Sequence, residues 1–252
     1  MSIFSKVVQS ENKKIEAAKD VVGGGGSFTI PSGIYPAEIM LAILRQSEGG
    51  AVALEVHYKL PTHNDFKLRE TTYFTKKTGE TTYEHDGKVF HLPGYTLLDN
   101  LIRVATEGGG TLADMIEEGE NATETMTVKL YDPEQKREVP TDVEAVTALH
   151  GLKIDLAVIE RDENKTEKNK STGEYEPVNE VRTLNTVANV FDSETGLTAN
   201  EMAASESEAK FKADWLKKWD GVKDNRYKEV AGAASSGSPK AATKPKSLFA
   251  KK

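Results

Sequence analysis

One segment of the chain, residues 67–77, reads Lys67-Leu68-Arg69-Glu70-Thr71-Thr72-Tyr73-Phe74-Thr75-Lys76-Lys77. Its threonine and aromatic residues favour a β-strand, in which successive side chains point to opposite faces of a sheet. Surfaces that bind single-stranded nucleic acid combine cations for the phosphates with flat rings on which bases stack. A solvated strand face would show the same pattern, so the flanking sequence bears on the choice. One face of the segment is cationic, has one aromatic ring and lacks acids: Lys67, Arg69, Thr71, Tyr73, Thr75 and Lys77.

The preceding segment, residues 51–59, alternates in the same way. Tyr58 shares a face with Val52, Leu54 and Val56, so we predict that Tyr58 lies in the core. A long apolar run at 33–44 precedes this segment and predicts another strand. A helix from Thr96 follows, with a spacing that resembles a capping box. The predicted elements after it are a shorter helix from Thr111, strands at 124–131, 153–161 and 181–191, and a helix at 197–220.

Three strands, a helix and then further strands is the order of an OB-fold, a five-stranded Greek-key barrel. The sequence therefore predicts a mainly-β protein, an OB-fold-like barrel with inserted and C-terminal helices. Such barrels bind oligonucleotides or oligosaccharides across strands two and three. In this chain those strands are 51–60 and 67–77, so the fold order and the cationic face indicate the same surface.

Length and composition suit one domain with appendages. The chain has 252 residues, of which 37% are hydrophobic, and no cysteine. Disulfides and thiolate zinc sites are therefore excluded, and a reducing compartment is expected. The first residues lead into no apolar run, and no stretch approaches the roughly 20 apolar residues that span a bilayer. We expect neither a signal peptide nor a membrane association.

The charge is unevenly distributed. Residues 231–252 contain five lysines and no acid, so this tail carries +5, and the net charge of −7 leaves −12 for the rest. Because charges beyond about 8–10 Å are mostly screened, a local basic groove is compatible with an acidic exterior. We divide the chain into an N-terminal helix and glycine hinge (1–30), an OB-like domain with a C-terminal helix (31–230) and a disordered basic tail (231–252).

Several short motifs resemble the single-stranded DNA-binding proteins of short-tailed bacteriophages. The resemblance implies an OB-type fold, single-stranded DNA as ligand, a place in the host-cell cytoplasm, and roles in phage replication and recombination, in some cases also transcription. The tails of bacterial relatives are acidic and end in an aromatic residue, whereas this tail is basic. The motifs are Gly23-Gly24-Gly25-Gly26, Ser32-Gly33-Ile34-Tyr35, Arg69–Thr75, Leu92-Pro93-Gly94-Tyr95, Val190-Phe191-Asp192 and Lys246-Ser247-Leu248-Phe249.

Catalytic patterns are weak in this sequence. None of the five histidines forms a helical His-x-x-x-His pair, and the glycine run lacks the lysine and hydroxyl of a phosphate-binding loop. A nuclease would need acids that converge on a metal near a lysine. Glu55, Lys59 and Glu70 on adjacent strands are the candidates, although no spacing requires that arrangement. We expect no catalytic residue, metal or cofactor.

We predict a non-catalytic protein that protects or organises single-stranded DNA. The alternative is a transcriptional co-activator or scaffold factor that acts through the basic tail and the helix with Trp215 and Trp219, whose apolar stripe would otherwise pack on the barrel. The tail would bind replication, recombination or transcription proteins, or merely add nonspecific DNA affinity. The predicted DNA-binding residues are Lys59, Lys67, Arg69, Tyr73 and Lys77, with His57 and Tyr83 as neighbours. The predicted partner-binding residues are Lys246, Leu248, Phe249, Lys251 and Lys252.

Overall fold

The computed structural model describes residues 29–132, 135–169 and 172–230. Within them the helices are α1 (Pro93–Ala105), α2 (Leu112–Glu118), α3 (Ala199–Ala203) and α4 (Lys210–Trp219). The predicted N-terminal helix, the glycine hinge and the basic tail lie outside the described residues. The strands are β1 (Gly33–Gln46), β2 (Val52–Leu60), β3 (Phe66–Tyr73), β4 (Thr82–His85), β5 (Lys88–His91), β6 (Glu124–Asp132), β7 (Arg137–Ala145), β8 (Lys153–Lys168), β9 (Tyr175–Asp192) and β10 (Asp224–Asn225).

The main sheet has Greek-key order. Strands β8, β1, β2 and β3 lie side by side and are antiparallel in succession, with β9 on the far side of β8. The fourth strand of the set thus returns beside the first, which defines a Greek key. The predicted mainly-β class is confirmed. Strands β3 and β9 run parallel at the two edges, but no backbone ladder joins them in the described residues.

Side-chain contacts bridge these two edges instead. Thr186 Oγ1 on β9 donates to Glu70 Oε1 on β3 over 3.5 Å. The backbone N–H of Val187 also donates to the Glu70 carboxylate. Glu70 therefore lies on the core side of β3, at the position where a closed barrel would have its last ladder.

Strand β1 holds the sheet together because its backbone bonds are divided among several neighbours. Its first half, from Gly33 to Glu38, pairs with β8, and its second half, from Glu38 to Gln46, pairs with β2. A register shift between Ile39 and Leu41 marks the bend. At this bend the loop before β8 supplies the hydrogen-bond partner, since Ile39 N–H donates to the Leu152 carbonyl over 3.0 Å.

Helix α1 packs one face on the main core, with Leu98, Leu101 and Ile102 buried. It begins at Pro93, three residues before the start that the sequence predicted. Proline is compatible with the first helical turn, where its missing N–H is not needed. Gly94 lies against the Tyr73 carbonyl so closely that a Cβ there would overlap it. The helix start therefore fixes the end of β3.

Two elements cover parts of the outer face of the sheet, the side away from the main core. Helix α4 places Trp215 against Ala157 and Phe191, which covers β8 and β9. The β6–β7 hairpin packs Val143 on Ile43 of β1. The sequence analysis predicted β6 but not β7. It also predicted one helix at 197–220, whereas α3 and α4 are separate and Ser205 between them has a positive φ of 54°.

Asparagine side chains hold both ends of the described chain on the β8–β9 hairpin. Asn185 bonds both the N–H and the carbonyl of Ile30, at 2.9 and 2.8 Å. Asn179 does the same for Val230, at 2.7 and 2.9 Å. Ile30 and Val230, close to the two ends of the described chain, therefore both lie against this hairpin. In the part of the chain that the structure describes, every helix is too short or too polar to cross a membrane.

Glu70 gives the fold a testable pH dependence. Burial raises the pKa of Glu70 to about 7 from an ordinary 4.5. The hydrogen bonds from Val187 and Thr186 and the charge of Arg161 favour the ionised form, but burial outweighs them. The phenol of Tyr58 on β2 faces the Glu70 carboxylate. Between these two values the folded chain keeps a proton that the unfolded chain has lost. The free energy of unfolding therefore falls as the pH rises through this interval, by at most about 3 kcal/mol.

We expect Glu70→Gln to raise the melting temperature at pH 8 by several degrees and to leave it nearly unchanged at pH 5. Each kcal/mol corresponds to roughly 2–4 °C in a domain of this size. Thermal unfolding followed by circular dichroism at both pH values measures the effect. Glu84→Gln, at an exposed position on β4, is the control and should keep the wild-type pH dependence. An equal shift of the variant at both pH values would contradict the assignment.

Candidate nucleic-acid interface

The alternation predicted for the second and third strands is confirmed. On β3, Lys67, Arg69 and Tyr73 are exposed, whereas Leu68 is buried. Tyr58 on β2 is buried in the main core, as predicted. The register pairs His57 with Arg69 and Lys59 with Lys67, so four of the predicted DNA-binding residues lie in two adjacent pairs. We call this surface the β2–β3 face; its side chains are Glu55, His57, Lys59, Lys67, Arg69, Thr71 and Tyr73.

A buried carboxylate lies at the centre of the β2–β3 face. Glu55 is only 2% exposed, yet it contacts positively charged or basic groups from its own strand and from both neighbouring strands. Arg69 Nη2 on β3 donates to Glu55 Oε2 over 2.6 Å, and Arg45 Nε on β1 donates to the same oxygen over 3.3 Å. His57 Nε2 lies 2.7 Å from Glu55 Oε1. One carboxylate thus fixes three side chains in orientation.

These contacts determine the charge of Glu55. Burial opposes ionisation, but the hydrogen bonds from His57 and Arg45 and the charge of Arg69 outweigh it and lower the pKa of Glu55 to about 2. The carboxylate is therefore ionised at neutral pH. Arg69 remains 55% exposed, and its guanidinium has five N–H donors, so part of it stays free to bind an anion while Glu55 holds the rest.

The two lysines of the face differ in their partners. Lys59 Nζ lies 3.2 Å from Asp65 Oδ1, and that aspartate is well exposed. An exposed pair of this kind contributes little to stability, so it can open when a phosphate arrives. Lys67 forms no ion pair with any residue that the structure describes. Together with Arg45 and Asp65, which border it, the face has four cations (Arg45, Lys59, Lys67 and Arg69) and two acids (Glu55 and Asp65), and so two net positive charges.

Two predicted DNA-binding residues lie elsewhere. Strand β3 ends at Tyr73, so Lys77 is not on the strand face; its side chain lies over Gly49 in the turn between β1 and β2. The predicted position of Lys77 on the strand face is wrong because residues 74–81 leave the strand and turn, and Gly79 there has a φ of 86°. Tyr83 lies on the separate β4–β5 hairpin, where its ring contacts that of Phe90 with 5.8 Å between centroids.

Sequence reasoning missed Arg45 and the role of Glu55. Both follow from the register of the β1–β2 hairpin, which pairs Gln46 with Val52 and therefore Arg45 with Ala53, next to Glu55 on the same face. Counting back from the turn at Glu48-Gly49-Gly50 would have found the pair. The contact with Arg69 needs the β2–β3 register as well, which a single sequence does not specify.

The nuclease arrangement weighed from the sequence is not formed. Glu55 points to the outer face and Glu70 to the core side, so these two carboxylates lie on opposite faces of the sheet and do not converge on one ion. No group of three metal-ligating side chains is present among residues 29–132, 135–169 and 172–230. The histidines have structural contacts; for example, the ring of His63 meets Tyr35 edge-on and His150 Nε2 accepts from Ala42 N–H.

The Trp helix of the alternative hypothesis is part of the fold. Trp215 is buried against Phe191 and Ala157, and Trp219 packs on the same cluster. Its tryptophans therefore contribute to the core, and among the apolar residues of its stripe only Phe211 is substantially exposed. The predicted partner-binding residues Lys246, Leu248, Phe249, Lys251 and Lys252 lie outside the described residues.

Comparison of the chain with protein-family models and with curated proteins finds no match.

The Glu55 cluster leads to a stability prediction. We expect Glu55→Gln to lower the free energy of unfolding at pH 7 by roughly 3 kcal/mol, because Arg45, Arg69 and His57 lose their common buried partner. A carboxylate with a lowered pKa stabilises the fold above its ordinary value of 4.5, and this contribution disappears as the pH falls towards 2. The difference between variant and wild type should therefore shrink in acid.

Urea unfolding at pH 7 and at pH 3 measures this difference. Asp65→Asn removes the exposed acid of the same face and is the matched control, with an expected change within about 0.5 kcal/mol. If Asp65→Asn costs as much as Glu55→Gln, the buried cluster does not have the central role assigned to it.

Proposed function

We propose that this protein binds single-stranded DNA across the β2–β3 face and does so without catalysis. One observation carries the proposal. The outer face of β8 and β9 is covered by α4, and that of β1 by the β6–β7 hairpin. The described residues leave the outer face of β2 and β3 open, and this face combines exposed cations with an aromatic ring. Tyr73 there is 49% exposed.

Four residues of the face would contact the DNA directly. Arg69, held by Glu55, presents its remaining N–H groups to a phosphate in a fixed orientation. Lys59 and Lys67 flank it as one cross-strand pair and supply further positive charge. Tyr73 lies four residues along β3 from Arg69, about 13 Å away at strand spacing, and offers a flat surface to a base. Such stacking accepts every base, so little sequence preference is expected.

The same features favour single strands over duplex. A stacking ring needs a base whose face is exposed, and in a duplex those faces are covered by neighbouring bases. The two net charges of the face are few, and the chain outside the basic tail is strongly acidic. Because nonspecific duplex binding depends almost wholly on phosphate neutralisation, this distribution disfavours it.

Titration of the full-length protein with single- and double-stranded oligonucleotides of equal length tests the proposal. We expect tighter binding of the single strand. Contacts from Lys59, Lys67 and Arg69 would give a slope of log affinity against log salt near −2, at roughly −0.7 per phosphate. Preference for duplex, or a slope near zero, would defeat the proposal.

Two substitutions separate the ring from the charge. Tyr73→Ala should weaken binding by about 1–3 kcal/mol with an unchanged salt slope, because it removes stacking only. Arg69→Ala should weaken binding and reduce the slope by about 0.7. Fluorescence anisotropy with a labelled oligonucleotide across a salt series measures both quantities.

Matched controls lie on other surfaces. Tyr131→Ala removes an exposed tyrosine on the outer side of the β6–β7 hairpin, and Arg182→Ala removes an arginine on β9 that is as exposed as Arg69 and also pairs with a glutamate. Both should bind as the wild type does. Equal losses in the controls and the test variants would show that the ligand does not occupy the β2–β3 face.

The resemblance noted in the sequence supports a proposed biological setting. We propose that the activity serves phage DNA replication and recombination within the host cytoplasm, with protein partners recruited through the basic tail. The order of the chain supports a separate role for the tail, since Asn179 holds Val230 on the β8–β9 hairpin and the five lysines follow that point. Deletion of residues 231–252 should then leave folding intact.

A further inference from the structure

The β4–β5 hairpin presents a second surface of cationic and aromatic character. It forms a two-stranded sheet of its own, in which Tyr83 pairs with Phe90 and His85 pairs with Lys88. These four side chains share one face because they occupy alternate positions of paired strands. Glu84 and Val89 form the pair between them and point to the other face. Two exposed rings thus lie beside two basic groups.

Both aromatic rings of the hairpin remain partly exposed to solvent. Tyr83 is 38% and Phe90 43% exposed, with their planes tilted by 32°. Both line an open cleft together with Pro93 and Leu97 of α1 and Asn189 of β9. An acidic side chain also contacts this face: Oδ2 of Asp86, at the hairpin turn, lies 3.4 Å from His85 Nε2.

This surface continues the β2–β3 face. Glu70 on β3 contacts Thr186 on β9, and the two strands run parallel, so beyond this contact both lead to the same end of the sheet, β3 to Tyr73 and β9, past a register shift, to Asn189. Asn189 pairs with Ala157, whose side chain lies on the outer face beneath α4, so Asn189 shares the outer side with Tyr73. The base of the hairpin is fixed near Tyr73, because Leu92 N–H bonds the Thr81 carbonyl and Gly94 touches the Tyr73 carbonyl.

We infer that the β4–β5 hairpin is a second stacking site for the same strand of DNA, which crosses from Tyr73 over the β3–β9 edge to Tyr83 and Phe90. This inference rests on the proposed function. Base faces would stack on the two rings, and Lys88 would contact the phosphate backbone. Asn100 and Asn189 at the cleft offer amide groups to base edges. A partner protein would also use exposed rings, but the basic neighbours and the continuity with Tyr73 favour a polyanion with flat bases.

Affinity for a 16-nucleotide oligo-dT tests the site in the full-length protein. Removing one stacking ring typically costs a factor of about 5 to 140, so we expect a loss of that size for Phe90→Ala. Phe90→Tyr keeps the ring and should bind like the wild type. Val89→Ala shortens an exposed side chain on the opposite face of the same strand and should also bind normally. An equal loss for Val89→Ala would mean that the hairpin fold, not stacking, was disturbed, and would overturn the inference.

Photocrosslinking gives a second readout that does not depend on affinity. A single 5-iododeoxyuridine is placed near one end or the other of the oligonucleotide, and the crosslinked peptide is identified by mass spectrometry. Because the strand has a direction, crosslinks to Tyr73 and to the hairpin should come from labels at opposite ends.

The outcomes distinguish the inference from the proposed function. If Tyr73→Ala weakens binding while Phe90→Ala is silent and the hairpin is never crosslinked, the second site is wrong and the β2–β3 face remains. If the wild type binds no single-stranded DNA, the proposed function and the inference both fail. Losses in both variants, with crosslinks from opposite ends, support one continuous path.

Discussion

The division of backbone hydrogen bonds along β1 determines the rest of this structure. An isolated edge of a long strand would leave unpaired N–H and C=O groups, which are costly when buried. Here the first half of β1 is paired by β8, the bend by the loop before β8, and the second half by β2. Because β1 bends where its partner changes, the sheet curves around α1 and brings β3 and β9 near each other. On the outer side of the sheet, α4 covers β8 and β9, and the β6–β7 hairpin covers part of β1.

The open outer surface is organised by Glu55, whose contacts span the three strands β1, β2 and β3. An ionised carboxylate with low exposure is unfavourable unless it is paired, and Arg45, His57 and Arg69 supply the pairing. The arrangement lowers the net charge of the face but fixes the guanidinium of Arg69. Side chains held in advance lose less conformational entropy when a ligand binds. The face thus has less net positive charge, but the guanidinium of Arg69 is already oriented before a ligand binds.

The sequence predicted those features that depend on local periodicity. Alternation with period two placed Arg69 and Tyr73 outward and Tyr58 inward, since each assignment needs only the phase of its own strand. The start of α1 was predicted three residues late, at Thr96. Proline suits a first turn, but the contact with Tyr73 that requires Gly94 there is a tertiary feature. Lys77 was misplaced because the end of β3 is a tertiary feature. The Glu55 cluster needs two registers at once.

Charge and stacking contribute unequally to this surface. With two net positive charges on the β2–β3 face, counterion release supplies only a small, salt-sensitive share of any binding energy. Aromatic stacking does not depend on salt in this way, and each base can contribute about 1–3 kcal/mol. A protein that is acidic outside its tail therefore gains most from rings placed along one path, at the end of β3 and on the β4–β5 hairpin. On the proposed function, such a surface would discriminate by whether bases are unpaired, because a duplex presents phosphates but hides the base faces that the rings need.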